Sequence, residues 1–208
     1  MIHAERRGAG ALLTIDRQDR RNAVDADACV DLRAELDAAV AAGARAIVLT
    51  GAGGHFCAGA DLSGVEGDGF RGALRRLLDG LESAPVPVIA AVSGAALGAG
   101  TQLAIACDLR MATPDARFGI PAAKLGLMVD HETVQRLVHL AGGGPARQML
   151  IAAEEIDGDR AHALGLVQHL GGLDDALDWA ARIARLAPLT MAGHKLAANR
   201  LAPTPADV

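Results

Sequence analysis

The sequence predicts an α/β domain built on a largely parallel sheet. Two patterns carry that prediction. Short apolar runs bounded by glycine or proline alternate with longer stretches whose apolar residues recur at helical spacing. A length of 208 residues, 51% of them hydrophobic, suits one compact domain, or one large domain with an appendage. No internal repeat and no long linker interrupts the chain.

The elements follow in order. Ile2 to Glu5 and Ala11 to Asp16 read as a hairpin around Arg-Arg-Gly-Ala-Gly. Asp25 is placed to cap a helix from Ala26 to about Ala41, with Cys29, Leu32, Leu36 and Val40 as its apolar stripe. Ala46 to Thr50 reads as a buried strand running into Gly-Ala-Gly-Gly. Phe70, Leu74, Leu77, Leu78 and Leu81 form a second helical stripe, with Arg71, Arg75, Arg76 and Glu82 off it. Pro87 to Val92 is the next strand, then a glycine turn and a helix from near Gly98. Further strands are expected at Leu109 to Ala112 and Leu166 to Leu170. From Thr133 the chain turns mostly helical, with helices from Asp174 to Leu186 and from near Leu189.

Composition excludes several roles. A net charge of −5 argues against a sequence-independent nucleic-acid binder, and 2% aromatics argues against base-stacking platforms. Cys29, Cys57 and Cys107 are odd in number and form no CxxC pair, so neither a disulfide framework nor a cysteine zinc site is expected. The run from Pro87 to Ala106 is apolar, but Gly94, Gly98, Gly100 and Gln102 interrupt it, so no membrane span is expected. With no charged-then-apolar leader, the expectation is a cytoplasmic protein.

Three glycine-rich places could carry chemistry. Gly51 to Asp61 follows a strand, but it runs into poor helix material, whereas a dinucleotide fingerprint must open a helix. Its small residues Cys57 to Ala60 let a ligand approach the backbone, though a plain connecting loop explains them too. Gly94 to Asp108 turns from strand to helix, and N–H groups at a helix start can hold an oxyanion as it forms. Tight helix packing accounts for these small residues equally well. Phe118 to Gln135 contains His131-Glu132-x-x-Gln135, with glutamine where a zinc-protease motif needs histidine, so no metal is expected there. Asp130, before a helical pattern, reads first as an N-cap.

His55-Phe-Cys-Ala-Gly-Ala-Asp-Leu62, Pro87 to Gly100, Cys107-Asp108, Phe118-Gly119, Gln135-Arg136-Leu137 and Ala163 to Val167, in this order, resemble the crotonase superfamily, the enoyl-CoA hydratase/isomerase family. The resemblance runs from about residue 2 to residue 200. It implies an α/β crotonase (ClpP-like) spiral of ββα units with a helical C-terminal region. It implies homotrimers, often paired into hexamers, that bind acyl-CoA thioesters in fatty-acid and lipid metabolism. No cofactor is implied beyond the coenzyme A of the ligand. An oxyanion hole would use the N–H groups of Ala60 and Ala99, the second position usually being glycine. Alanine there keeps the N–H and suits the role if its φ is negative. CoA would lie along Asn22, Ala23 and Val24 and along Ala58, Ala60, Asp61 and Leu62.

The chain departs from the family pattern where hydratases carry two glutamates. Those positions match Gln102 and Ala122. An amide neither gives nor takes a proton near neutral pH, and a methyl has nothing to offer. In some relatives a working aspartate matches Asp130. A similar protein of actinobacterial lipid metabolism with the same Gly-Leu-x-x-Asp pattern binds long acyl-CoA without hydrating it. The leading expectation is therefore an acyl-CoA-binding protein without efficient hydratase activity, able to hand its ligand to a lipid-synthesis enzyme. The alternatives are an active hydratase, isomerase or other acyl-CoA enzyme using Asp130 as acid or base, and a scaffold with no ligand. Relatives usually continue several tens of residues further, through helices that close the acyl pocket and pack between subunits. Residues 1–188 are thus expected to form the spiral core, and 189–208 the start of an incomplete helical region.

Overall fold

The computed structural model describes residues 1–61 and 68–199. The expected hairpin forms from β1 (Ile2–Arg7) and β2 (Gly10–Ile15), paired antiparallel with Arg7 opposite Gly10. Next comes α1 (Ala26–Ala41), whose N-cap Asp25 accepts a hydrogen bond from the Ala28 N–H at 2.8 Å. Then follow β3 (Ile47–Gly51), α2 (Asp68–Ser83) and β4 (Val88–Val92). After them come β5 (Ala95–Leu97), α3 (Ala99–Ala106), β6 (Leu109–Ala112) and β7 (Arg117–Gly119). A 3-10 turn, Pro121–Leu125, leads to α4 (His131–Ala141) and α5 (Gly143–Leu150). The described chain ends with β8 (Ile156–Asp157), α6 (Gly158–Ala163), β9 (His169–Leu170), α7 (Leu173–Ile183) and α8 (Pro188–Ala198).

Six strands make the main sheet in the order β1-β2-β3-β4-β6-β9, parallel except for the hairpin. Both faces are covered, which is why its strands read as unbroken apolar runs. Leu13, Ile15, Ile47, Leu49 and Val88 point into the larger core with Leu32 and Leu36 of α1 and Leu77 and Leu81 of α2. Their neighbours Leu12, Val48 and Ile89 point the other way, onto Ala176 and Ala180 of α7. That alternation is the two-residue period of a strand. The three cysteines are buried and unpaired, and burial pushes each thiol up to about 12.

Three strands escape the sequence pattern. β5, β7 and β8 form a second sheet in that order, and none exceeds three residues. Such short pieces show no alternation. The strand expected at Leu166 to Leu170 is only His169–Leu170. Leu166 and Val167 are instead buried in a turn, where the Leu166 carbonyl accepts from the buried Arg110 guanidinium at 2.6 Å. The helix expected to end at Leu186 stops at Ile183.

Candidate functional site

The second sheet brings two glycine-rich segments together. Cys57 N–H donates to the Ala95 carbonyl at 2.9 Å, and Leu97 N–H donates back to the Cys57 carbonyl at 3.0 Å. On its other side the segment is tied to Val24, through Val24 N–H to Gly59 O at 2.9 Å and Asp61 N–H to Val24 O at 2.8 Å. A parallel bridge of this kind uses the groups flanking Ala60 and leaves Ala60's own N–H out. Across from it the chain turns through Gly98, with φ +54°, a left-handed value that suits glycine. Ala99 is then the first residue of α3, where an N–H has no partner within the helix. Among the described residues neither Ala60 N–H nor Ala99 N–H donates a hydrogen bond. Both alanines have negative φ, since Arg21, Asn22 and Ala153 are the described non-glycine residues with positive values. Gly100 explains the close approach: a Cβ there would sit 2.0 Å from the Cys57 carbonyl oxygen. Close packing and free N–H groups, which the sequence offered as rival explanations, therefore coexist.

These segments form one wall of a cavity of about 650 Å³. Ala58, Gly59 and Ala60 lie on that wall with Gly98, Ala99 and Gln102. Phe70, Arg71, Leu74 and Arg75 of α2 form a second wall. Ile120 to Ala122 and the stretch from Leu127 to Asp130 form the third. Leu125, Leu127 and Met128 are exposed apolar residues on its rim. Ala122 brings only a methyl, and Asp130 is the one carboxylate among the described lining residues.

Gln102 is buried, and its Oε1 lies 3.2 Å from Thr133 Oγ1. Asp130 caps α4: Oδ1 accepts the Thr133 N–H at 2.8 Å, and Oδ2 lies 2.9 Å from the Thr133 hydroxyl. Arg75 Nη1 stands 3.3 Å from Asp130 Oδ1, and its Nη2 pairs with Glu82 at 3.0 Å. Glu82 in turn pairs with Arg136 at 3.0 Å, and Arg136 donates to Asn199 Oδ1 at 3.1 Å. Burial pushes the Asp130 carboxyl up, but the Thr133 N–H and hydroxyl and the Arg75 guanidinium outweigh it and hold the group below the ordinary carboxylate range. Asp130 is thus ionised at neutral pH and already occupied, a poor proton donor and a weak base.

The residues expected along CoA are placed as follows. Ala58 and Ala60 line the cavity, while Asn22, Ala23, Val24 and Asp61 lie outside its lining. Asn22 is fully buried, and its Nδ2 donates to the carbonyls of Ala52 at 2.8 Å and His55 at 2.6 Å, so its side chain ties loops together. Val24 is buried, and Ala23 is half-buried. Asp61 is buried against the guanidinium groups of Arg17 and Arg20. Leu62 lies outside the described residues. Sequence reasoning missed Thr133 and the pairing of Arg75; the one signal for Arg75 was its helical spacing from Asp79 and Glu82. Among the described residues no cluster of three or more His, Cys, Asp or Glu side chains is placed to hold a metal, and no helix is long and apolar enough to cross a membrane.

A family profile described as "Enoyl-CoA hydratase/isomerase" matches residues 5–202. The chain belongs to the enoyl-CoA hydratase/isomerase family. That places it in the crotonase superfamily, whose members act on CoA thioesters. It is 45% identical over 197 residues to "Probable enoyl-CoA hydratase echA6" of Mycobacterium tuberculosis, covering 92% of this chain and 80% of that one. It is 36% identical over 212 residues to "Short-chain-enoyl-CoA hydratase" of Clostridium acetobutylicum, covering 94% and 80%. Among solved structures, an enoyl-CoA hydratase/carnithine racemase from Magnetospirillum magneticum superposes with a TM-score of 0.89 at 30% identity, covering 98% of this chain and 82% of that one. The enoyl-CoA hydratase from Thermoplasma volcanium also gives a TM-score of 0.89, at 29% identity, covering 95% and 83%. The expected crotonase fold is therefore the fold of this chain.

Proposed function

We propose that this protein binds an acyl-CoA thioester with its carbonyl oxygen on the N–H groups of Ala60 and Ala99, and does not hydrate it efficiently. One observation carries the reading. Ala60 and Ala99, whose N–H groups donate no hydrogen bond among the described residues, line a cavity together with Gln102 and Ala122, the residues expected where the family carries its glutamates. The donors can bind and polarise a thioester. With Gln102 and Ala122 in place, nothing there shuttles a proton between water and the α-carbon. Each general acid–base group is worth about 10²–10⁴ in rate, so losing both is severe. Asp130 does not fill the gap, because the Thr133 N–H and Arg75 engage its Oδ1 and the Thr133 hydroxyl engages its Oδ2.

In this reading CoA lies along the backbone of Asn22 to Val24 and of Ala58 to Leu62, and residues 1–188 form the binding core. The protein is cytoplasmic, serves fatty-acid or lipid metabolism, needs no other cofactor, and assembles as a trimer or hexamer.

The test is a hydration assay on a short and a long trans-2-enoyl-CoA, beside thermal protection by the same ligands. Protection without turnover is expected. An ordinary enzymatic rate overturns the reading, and its loss in Asp130→Asn would make Asp130 the acid or base. Absence of binding by any acyl-CoA favours the ligand-free scaffold. Ala99→Pro is a second probe, since proline is tolerated at the first helical position and has no N–H to donate. It should weaken acyl-CoA binding several-fold in titration calorimetry while leaving CoA alone little changed.

A further inference from the structure

Thr133 stands between two acceptors. Its Oγ1 is 2.9 Å from Asp130 Oδ2 and 3.2 Å from Gln102 Oε1. A hydroxyl has one proton, so it can donate to only one of them. An ionised carboxylate takes that proton over a neutral amide, and here it is also the nearer. The Thr133 oxygen then offers Gln102 only lone pairs. Two oxygens facing across this gap repel, whereas the amide turned by half a rotation meets Thr133 with an N–H. Oxygen and nitrogen of a side-chain amide are told apart by the partners they bond, and these partners choose the turned form. Gln102 is 7% exposed, lines the cavity, and makes no other side-chain hydrogen bond among the described residues. Its carbonyl oxygen is then the atom that looks into the cavity.

We propose that Thr133 is a positioning residue that turns the Gln102 amide so that its oxygen faces the cavity, and that the site therefore selects an acyl-CoA carrying a hydroxyl close to the thioester. The proposal rests on the acyl-CoA reading above. The distance follows from the helix: Gln102 lies three residues after Ala99 on α3, about 4.5 Å along the axis. Both residues line the same wall of the cavity, so a group held there lies near the thioester rather than far along the acyl chain. An amide presenting its NH₂ would favour a 3-oxoacyl ligand instead. The direction of selectivity therefore reports the direction of the amide.

Calorimetric titration with butyryl-CoA, each hand of 3-hydroxybutyryl-CoA, and acetoacetyl-CoA tests this on the full chain. One hydroxylated hand should bind roughly two- to tenfold tighter than butyryl-CoA, the worth of one hydrogen bond, and tighter than acetoacetyl-CoA. Thr133→Val should erase that preference, and Thr133→Ser, which keeps the hydroxyl, should restore it. Should the valine variant fail to fold, the ranking in the unmodified protein and in Thr133→Ser still decides. A preference for acetoacetyl-CoA, no preference, or one that survives Thr133→Val overturns the proposal while the acyl-CoA reading stands. Failure of every CoA thioester to bind sinks both.

Discussion

Gln102 and Ala122 sit on different walls of one cavity, on α3 and on the turn after β7. If only their side chains prevent hydration, Gln102→Glu combined with Ala122→Glu should raise the hydration rate on crotonyl-CoA by at least about 10², and each single change by much less. Steady-state kinetics reads this directly. Asp130 has a different signature. Its folded carboxyl titrates below the ordinary value of 3.8. The stability it contributes is present above that value and is lost as the pH falls through the lower folded one. Urea midpoints at about pH 5 and about pH 3 should therefore fall more steeply for the unmodified protein than for Asp130→Asn, which keeps the cap but does not titrate there. The cap at Asp130 was legible in the sequence, because an acidic residue before a helical pattern has local causes. The Arg75 contact was not, since residues 55 positions apart meet only through the fold.

Among the elements, α3 is the one whose position everything at the site depends on. Its first turn rests on the Cys57 carbonyl with no room for a Cβ at Gly100. Gly100→Ala should cost about 1–3 kcal/mol by overpacking and, by pushing α3 off the 57–60 segment, weaken acyl-CoA binding as well. Denaturant melts and calorimetry on one preparation measure both. The long elements were readable because their periodicity is strong: α1, α2, β3 and β4 lie where the apolar spacing put them. The small sheet of β5, β7 and β8 was not, although it is what aligns Ala60 with Ala99. Strands of two or three residues have no pattern of their own and exist because neighbouring segments supply their partners.

The whole molecule is two cores on one sheet, with α8 fastened on from outside by polar groups. Lys195 Nζ uses all three donors, to the Leu81 carbonyl at 2.8 Å, the Val86 carbonyl at 3.1 Å and Asp108 Oδ2 at 2.8 Å. Burial pushes the Asp108 carboxyl up even with Lys195 beside it. Lys195→Met should thus destabilise the fold by about 2–4 kcal/mol near neutral pH. The deficit should shrink as the pH falls, because a carboxyl with a raised pKa is relieved on taking up its proton. Urea melts at two pH values follow the trend. None of this was visible in the sequence beyond lysine occurring only at Lys124 and Lys195.

The three buried thiols have a practical consequence. With their protons held to about 12 and their sulfurs inside the core, they give thiol reagents almost nothing to attack while the fold is closed. Labelling must wait for the core to open, so its rate becomes a built-in gauge of how often that happens. Ligand that tightens the fold should slow the gauge without any tag being added. A single cysteine introduced on the exposed side of α8, at Leu189 for example, would then react alone, against a silent background.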